Sequence, residues 1–250
     1  MNPVLLSVVI ITYNEEKNIG RCLESVQHIA DDIVVVDSFS TDATEKICKK
    51  FNVNFIQREW EGYSKTKNFA NTMTQYPWIL SLDADEALSE ELKQSILKIK
   101  QQNECVTAEF NRLTNYCGTW IKHCGWYPDK KIRIFDKTNS EWQGTIHEKL
   151  IINSEKPVIH LKGDCLHYSY YTLEDHYKQV DYFTDLLAKD YHEKGKKVSL
   201  IKLYMSPMVK FMRDYIIKLG ILDGYAGFKI SIISAYATYL KYYKTRKLYK

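Results

Sequence analysis

Four short runs rich in β-branched residues, set apart by stretches of helical periodicity, constrain this chain more than any other feature. Leu6 to Thr12 reads LSVVIIT, Asp32 to Asp37 reads DIVVVD, Val53 to Gln57 reads VNFIQ and Trp78 to Leu82 reads WILSL. Unbroken apolar runs belong to strands covered on both faces, whereas half-solvated strands alternate. Between the runs, Ile19, Cys22, Leu23, Val26 and Ile29 recur at helical spacing. Ser40, Thr41 and Asp42 supply cap residues ahead of a helix with Ala43, Ile47 and Phe51 inward, and Ser64 to Met73 reads as another helix. Ser89 to Ile99 closes the series with Leu92, Ile96 and Ile99 inward. Such alternation specifies an α/β fold with a mostly parallel, Rossmann-like sheet flanked by helices and joined by right-handed crossovers.

Ligands of such sheets bind beyond the carboxyl ends of the strands. Glu15, Asp37, Asp83 and Asp85 each follow a strand end, so separate segments deliver carboxylates to one edge. Asp83-Ala84-Asp85 is the central feature. A departing diphosphate gathers negative charge, and hard divalent cations that neutralise it prefer carboxylate oxygens. Two aspartates at a strand end can divide the task, one reaching a ribose or metal-bound water and the other the metal. Ala84 between them lets the backbone approach the donor closely.

The pattern changes after residue 104. Residues 105–170 have shorter strands and dense aromatics, and Ile132 and Ile134 alternate with Lys131 and Arg133 as in a half-buried strand. Thr172 and Asp175 form a capping box for a helix running to about Tyr191. From Leu200 onward the chain reads as helical, with breaks at Pro207, Gly220 and Gly224. The expected organisation is a domain over 1–170, divided into a nucleotide-binding half (1–104) and an acceptor half (105–170), then a helical region over 171–250.

Composition excludes several classes. The 250 residues are 45% hydrophobic and 26% charged, which suits a folded chain, and the net charge of +4 is too mild for nucleic acid. Six cysteines with no CxxC pair imply a reducing compartment without a disulfide framework. Cys117, His123 and Cys124 match no standard zinc spacing. The first residues lack a basic segment ahead of the short run Val8 to Ile11, so no signal peptide is read, and no apolar stretch reaches the ~18 residues of a membrane span. No GxGxxG follows the first strand, which argues against a dinucleotide-binding dehydrogenase.

Ser7-Val-Val-Ile-Ile-Thr-Tyr-Asn-Glu15, Val34-Val-Val-Asp37 with Ser40-Thr41-Asp42, Lys67-Asn68 and Leu82-Asp83-Ala84-Asp85-Glu86 together resemble the family 2 inverting glycosyltransferases of GT-A fold. Trp126-Tyr-Pro-Asp129, Arg133-Ile-Phe135, His147-Glu148-Lys-Leu150 and Leu219-Gly-Ile-Leu-Asp-Gly224 are similar to the bacterial lipopolysaccharide-core subgroup. The resemblance implies a nucleotide-sugar donor with Tyr13 and Glu15 lining the nucleoside pocket and Asp37 accepting a bond from the base, uracil by default. Lys67 would reach diphosphate or base, Asp83 the ribose, and Asp85 would hold Mg²⁺ or Mn²⁺. Many members carry proline where this chain has Ile11, which touches only the backbone contact there.

An inverting transfer needs a general base for the acceptor hydroxyl. Glu148 is the candidate, in the half that would face the acceptor and beside His147, with Asp129 and Glu141 as rivals. His167 is a candidate third metal ligand or diphosphate donor, with a satisfied buried histidine as the plain alternative. Trp126, Arg133 and His147 are the acceptor-side candidates, Trp126 as an aromatic platform for a sugar face. The implied acceptor is a lipid-linked glycan; a polyprenyl-phosphate acceptor and a non-catalytic sugar-nucleotide-binding module are the other readings. The basic, tyrosine-rich end from Lys241 to Lys250 and the amphipathic segments before it suit an anionic membrane surface on the cytoplasmic face of an inner membrane. An oligomer contact is the competing explanation.

Overall fold

The computed structural model describes residues 4–102, 105–144, 148–153 and 157–249. The chain forms two compact units, Met1–Arg112 with Asp129–His167, and Leu113–Pro128 with Tyr168–Lys250.

In the first unit, β1 (Leu6–Thr12), β2 (Asp32–Asp37), β3 (Asn54–Gln57) and β4 (Trp78–Asp83) pair in parallel in the order β3-β2-β1-β4. Helices α1 (Ile19–Val26), α2 (Thr44–Cys48) and α3 (Tyr63–Thr72) make the crossovers. β1 explains the unbroken apolar run. Leu6, Val8 and Ile10 pack into one core with Ile19, Leu23 and Leu92, while Val9 and Ile11 pack into a second with Ala70, Phe135 and Trp142. Both faces are covered, so no position needs a polar side chain.

β5 (Glu86–Leu88) follows β4 at once, and α4 (Glu90–Gln101) starts on Ser89, whose hydroxyl accepts the Leu92 N–H at 3.3 Å. Leu92, Ile96 and Ile99 are its buried residues, as expected. The sheet then turns antiparallel through β6 (Thr107–Tyr116) and, after β7 (Thr119–Ile121), β8 (Asp129–Asp136), which pairs with β4 and β6. A separate hairpin joins β9 (Ser140–Gln143) to β10 (Lys149–Ile152), and β11 (Val158–Tyr170) pairs antiparallel with β5. This is the α/β, GT-A type architecture expected from the sequence, with a parallel N-terminal part of the sheet and a C-terminal helical region.

Two local expectations are corrected. Arg133 of β8 is 5% exposed rather than solvent-facing, because two carboxylates receive it inside. Ser40-Thr41-Asp42 caps α2 only through Asp42, whose Oδ1 accepts the Thr44 N–H at 2.9 Å; Ala43 occupies the N-cap with no side-chain bond, and the cluster otherwise laces two loops together.

The second unit holds the hairpin of β7 with the end of β6, and helices α5 (Leu173–Glu193), α6 (Leu200–Met212) and α7 (Gly224–Lys247). The Thr172–Asp175 capping box opens α5 as expected. α6 continues through Pro207, so that residue does not end the helix although it removes one backbone bond, and α6 packs on α7. A π-helical turn (Arg213–Ile217) and a 3₁₀ turn (Gly220–Asp223) then lead to α7. A Cβ on Gly227 would stand 1.9 Å from the Gly220 carbonyl oxygen, so only glycine fits there. Tyr116, Trp126, Tyr170 and His176 form an aromatic cluster, with the Tyr116 hydroxyl 2.8 Å from His176 Nδ1. No helix among the described residues is long and apolar enough to cross a membrane.

Candidate active site

Parallel pairing brings the strand ends together. Thr12 stands opposite Asp37, and Ile11 opposite Asp83, so the loops after β1, β2 and β4 share one edge. The Asn14 side chain accepts the Thr41 N–H at 2.8 Å, and the Asn14 N–H donates to Ser40 Oγ at 2.8 Å. The Glu15 N–H donates to Thr44 Oγ1 at 2.8 Å, and the Glu16 N–H to Asp42 Oδ2 at 3.0 Å. These bonds fix the first loop, leaving Tyr13 58% exposed. Asp37 is fully buried; its carboxylate accepts the Ser40 N–H at 2.9 Å, the Ser40 hydroxyl and Gln57 Nε2 at 3.3 Å. Glu15 accepts Asn18 Nδ2 at 2.7 Å. Burial pushes its carboxyl up to about 7, the Asn18 bond opposing and the Asp85 charge adding to the rise.

Asp83 sits between two cations. Arg133 Nη2 donates to Oδ2 at 2.8 Å and Lys67 Nζ lies 2.9 Å from Oδ1. Burial works against ionisation, but Lys67 and Arg133 outweigh it and hold the carboxyl far below the usual carboxylate range. Lys67 is 1% exposed, and its ammonium also lies 3.2 Å from Glu148 Oε1 and 4.8 Å from the centre of the Trp142 ring. Helix α3 makes this possible by gripping the β9 hairpin. Asn68 Nδ2 donates to the Trp142 carbonyl at 2.8 Å, the Trp142 N–H returns to Asn68 Oδ1 at 2.9 Å, and Ser64 Oγ donates to the Gly144 carbonyl at 2.6 Å.

Glu86 is the residue that sequence reasoning missed. It is 1% exposed, its Oε1 accepts Arg133 Nη2 at 2.7 Å with Arg112 Nη1 at 3.6 Å, and its Oε2 accepts the Asp83 N–H at 3.1 Å. One carboxylate thus closes the Asp83-Ala84-Asp85 turn and anchors the arginine that faces Asp83. Burial disfavours the Arg133 cation, and Glu86 and Asp83 more than reverse this. The signal available was Glu86 itself, directly after the second aspartate.

The β5–β11 pairing sets His167 opposite Glu86 and places His167 Nε2 3.1 Å from Asp85 Oδ2. His167 therefore lies inside a strand, not after one. Among the described residues no group of three or more His, Cys, Asp and Glu side chains forms a ready metal cage. Asp85 and His167 do offer a hard oxygen and an imidazole nitrogen side by side. Divalent cations in phosphate sites characteristically take one or two protein ligands and complete their shell with substrate oxygens and water, so the donor set fits such an ion.

Asp129 is engaged by Arg112 at 2.9 Å and Lys131 at 3.0 Å, and Glu141 is exposed on β9. Trp126 belongs to the aromatic cluster of the second unit, and Trp142 is a core residue. His147 lies outside the described residues. His123 Nδ1 is 2.7 Å from Asp223 Oδ1 while Cys124 Sγ faces the Gly227 carbonyl at 3.6 Å, so these side chains have separate partners.

Residues 7–158 match the family described as Glycosyl transferase family 2. An uncharacterized glycosyltransferase of Rickettsia typhi is 33% identical over 97% of this chain and 87% of its own length. The chain belongs to glycosyl transferase family 2. It is also 26% identical to the lipopolysaccharide core biosynthesis glycosyltransferase LpsC of Rhizobium meliloti, over 97% of this chain and 93% of LpsC. Among solved structures, S. aureus TarS 1–349 in complex with UDP-GlcNAc aligns with a TM-score of 0.47 at 14% identity, covering 96% of this chain and 91% of that one.

Proposed function

We propose that this glycosyltransferase moves a hexose, with inversion, from a nucleotide-diphosphate sugar, a UDP-sugar by default, to a hydroxyl of a lipopolysaccharide-core or related lipid-linked glycan. It works as a peripheral protein on the cytoplasmic face of an inner membrane. The observation that carries the chemistry is the position of Lys67, within 2.9 Å of Asp83 and 3.2 Å of Glu148, which ties the donor-side carboxylate to the candidate base. The likeness to LpsC supports the acceptor class.

In this reading Tyr13, Glu15 and Asp37 receive the nucleoside, and Asp83 receives the ribose beside the closely packed Ala84. Glu148 takes the acceptor hydroxyl proton as the oxygen bonds to the anomeric carbon. The bond from that carbon to the diphosphate breaks on the opposite face, its electron pair leaves with the diphosphate, and the configuration inverts. Lys67 and Arg133 keep Asp83 ionised and fixed. A Mg²⁺ or Mn²⁺ ion held by Asp85 and His167 would supply neutralising charge for the diphosphate.

Glu148→Gln tests this directly. With Mn²⁺, UDP-sugar and a lipid-linked core glycan, turnover should fall about 10²- to 10⁴-fold while UDP affinity holds. Undiminished turnover would remove Glu148 as the base and favour a polyprenyl-phosphate acceptor, whose oxyanion needs no proton taken from it.

A further inference from the structure

Helix α6 carries its apolar residues on the outside. Ile201 (77% exposed), Met205 and Val209 recur at i, i+4 and i+8 along its solvent face, Met208 beside them is 62% exposed, and the stripe continues through the following turn to Ile217 at 75%. Leu203 is the only buried residue of the helix. Soluble monomers seldom leave a contiguous apolar face of this kind uncovered.

Charge selects what covers it. Between Leu200 and Tyr249 the sequence has only two acids, Asp214 and Asp223. Asp214 is 1% exposed and bonded to Lys210 and Arg213, and the Asp223 carboxylate accepts the backbone N–H and faces the ring of His123. The exposed charges flanking the apolar face are all cationic: Lys218, Lys202, whose ammonium lies 5.2 Å from the centre of the Tyr242 ring, and Arg213, which also meets Asp214. Pairing two copies through this face would bring like charges together. Acidic lipid headgroups would neutralise them, while the apolar side chains enter the headgroup–acyl boundary and the lysine stems snorkel back.

The basic end of α7 is differently disposed. Lys244 is held by Asp181 at 2.6 Å and Asp185 at 2.8 Å, Arg246 donates to the Val198 carbonyl, and Lys241 lies over the Tyr191 and Tyr242 rings. Lys247 is exposed beside the Tyr243 ring, so the contrast lies in the oxygen partners: Lys244 and Arg246 have them within the unit, whereas among the described residues Lys202 and Lys218 form no ion pair.

We infer that the solvent face of α6 and the turn after it, rather than the basic end of α7, is the surface that docks this chain on an anionic lipid bilayer. The inference rests on the membrane reading of the proposed function and gives it a location.

The test is co-sedimentation of the full chain with vesicles of phosphatidylcholine, with and without phosphatidylglycerol. Wild type should bind only the anionic vesicles. The triple variant Ile201→Ser, Met208→Ser, Ile217→Ser should weaken binding about tenfold or more. Lys202→Glu with Lys218→Glu should do so too, while Lys241→Ala with Lys247→Ala leaves it unchanged. Circular dichroism and UDP binding check that each variant is folded. Wild-type-like binding by the α6 variants, with release of the α7 variant, would overturn the location and leave the membrane reading standing. Failure of wild type to bind any vesicle would end both. A wild-type dimer that the triple variant makes monomeric would identify a second copy as the cover and overturn the inference.

Discussion

Lys67 Nζ stands 3.2 Å from Glu148 Oε1, joining residues 81 positions apart, and the same ammonium lies 2.9 Å from Asp83 Oδ1. A buried cation shared by two carboxylates holds them at a set separation and cancels their repulsion. Replacing Lys67 by Met keeps most of the volume over Trp142 and removes the charge. Both carboxylates then lose a fixed partner, and a misplacement of about 1 Å at a reacting group can cost about 10²-fold. Lys67→Met is expected to lower kcat/KM by about that factor, with kcat carrying most of the loss, measured by steady-state transfer from the UDP-sugar.

Glu86 has a different task, and its loss should be read in stability. The carboxylate is buried and balances Arg133 and Arg112 while holding the Asp83 N–H. Removing one partner of a buried ion pair strands the other at a cost of about 3–5 kcal/mol. Glu86→Gln should lower the unfolding free energy by about that amount in urea titrations. Adding Arg133→Met should restore part of it, since the stranded charge is then gone. Additive losses would show that Glu86 and Arg133 are not coupled.

The elements that sequence revealed are those whose periodicity is set by burial on known faces. β1, β2, β4 and α4 could be read because both sheet faces or one helix stripe are covered, and the apolar residues report this locally. β5 could not, since three residues after a turn carry no period. Arg133 misled for a physical reason: a charged residue in a strand ordinarily faces water, and its inward turn depends on Asp83 and Glu86, 50 and 47 residues away. Lys67 and Glu148 each stand out in the sequence, but nothing in their separate segments says they meet. The lysines of the basic end look available in sequence until α5 supplies Asp181 and Asp185. Exposure of the α6 stripe is likewise a property of packing, because its residue pattern alone would equally suit a core helix.

Asp85 and His167 should act together on donor binding. Their contact at 3.1 Å sets two unlike donors side by side, and a divalent ion there would link them to the diphosphate. UDP affinity measured by calorimetry should rise with Mn²⁺ in the wild type and lose that rise on chelation. Asp85→Ala and His167→Ala should each abolish most of the Mn²⁺ dependence while leaving the metal-free UDP affinity close to wild type. Retained Mn²⁺ dependence in both variants would place the cation elsewhere.

His176 predicts how the second unit responds to acid. Burial lowers its pKa to about 4, and Nδ1 meets the Tyr116 hydroxyl at 2.8 Å. The unfolded chain takes up a proton at the ordinary histidine value of 6.5, whereas the folded chain resists until about 4. Between these values the unfolded state binds more protons, so stability rises with pH. The contribution is therefore complete above about 6.5 and is lost progressively as pH falls toward 4. His176→Gln can still meet the tyrosine but does not titrate, so its unfolding midpoint should vary less across that window than that of wild type. Urea titrations at closely spaced pH values measure the difference in slope. Parallel curves for the two proteins would mean that His176 is protonated in the folded chain as easily as in the unfolded one, and that burial in the Tyr116 cluster does not hold it neutral.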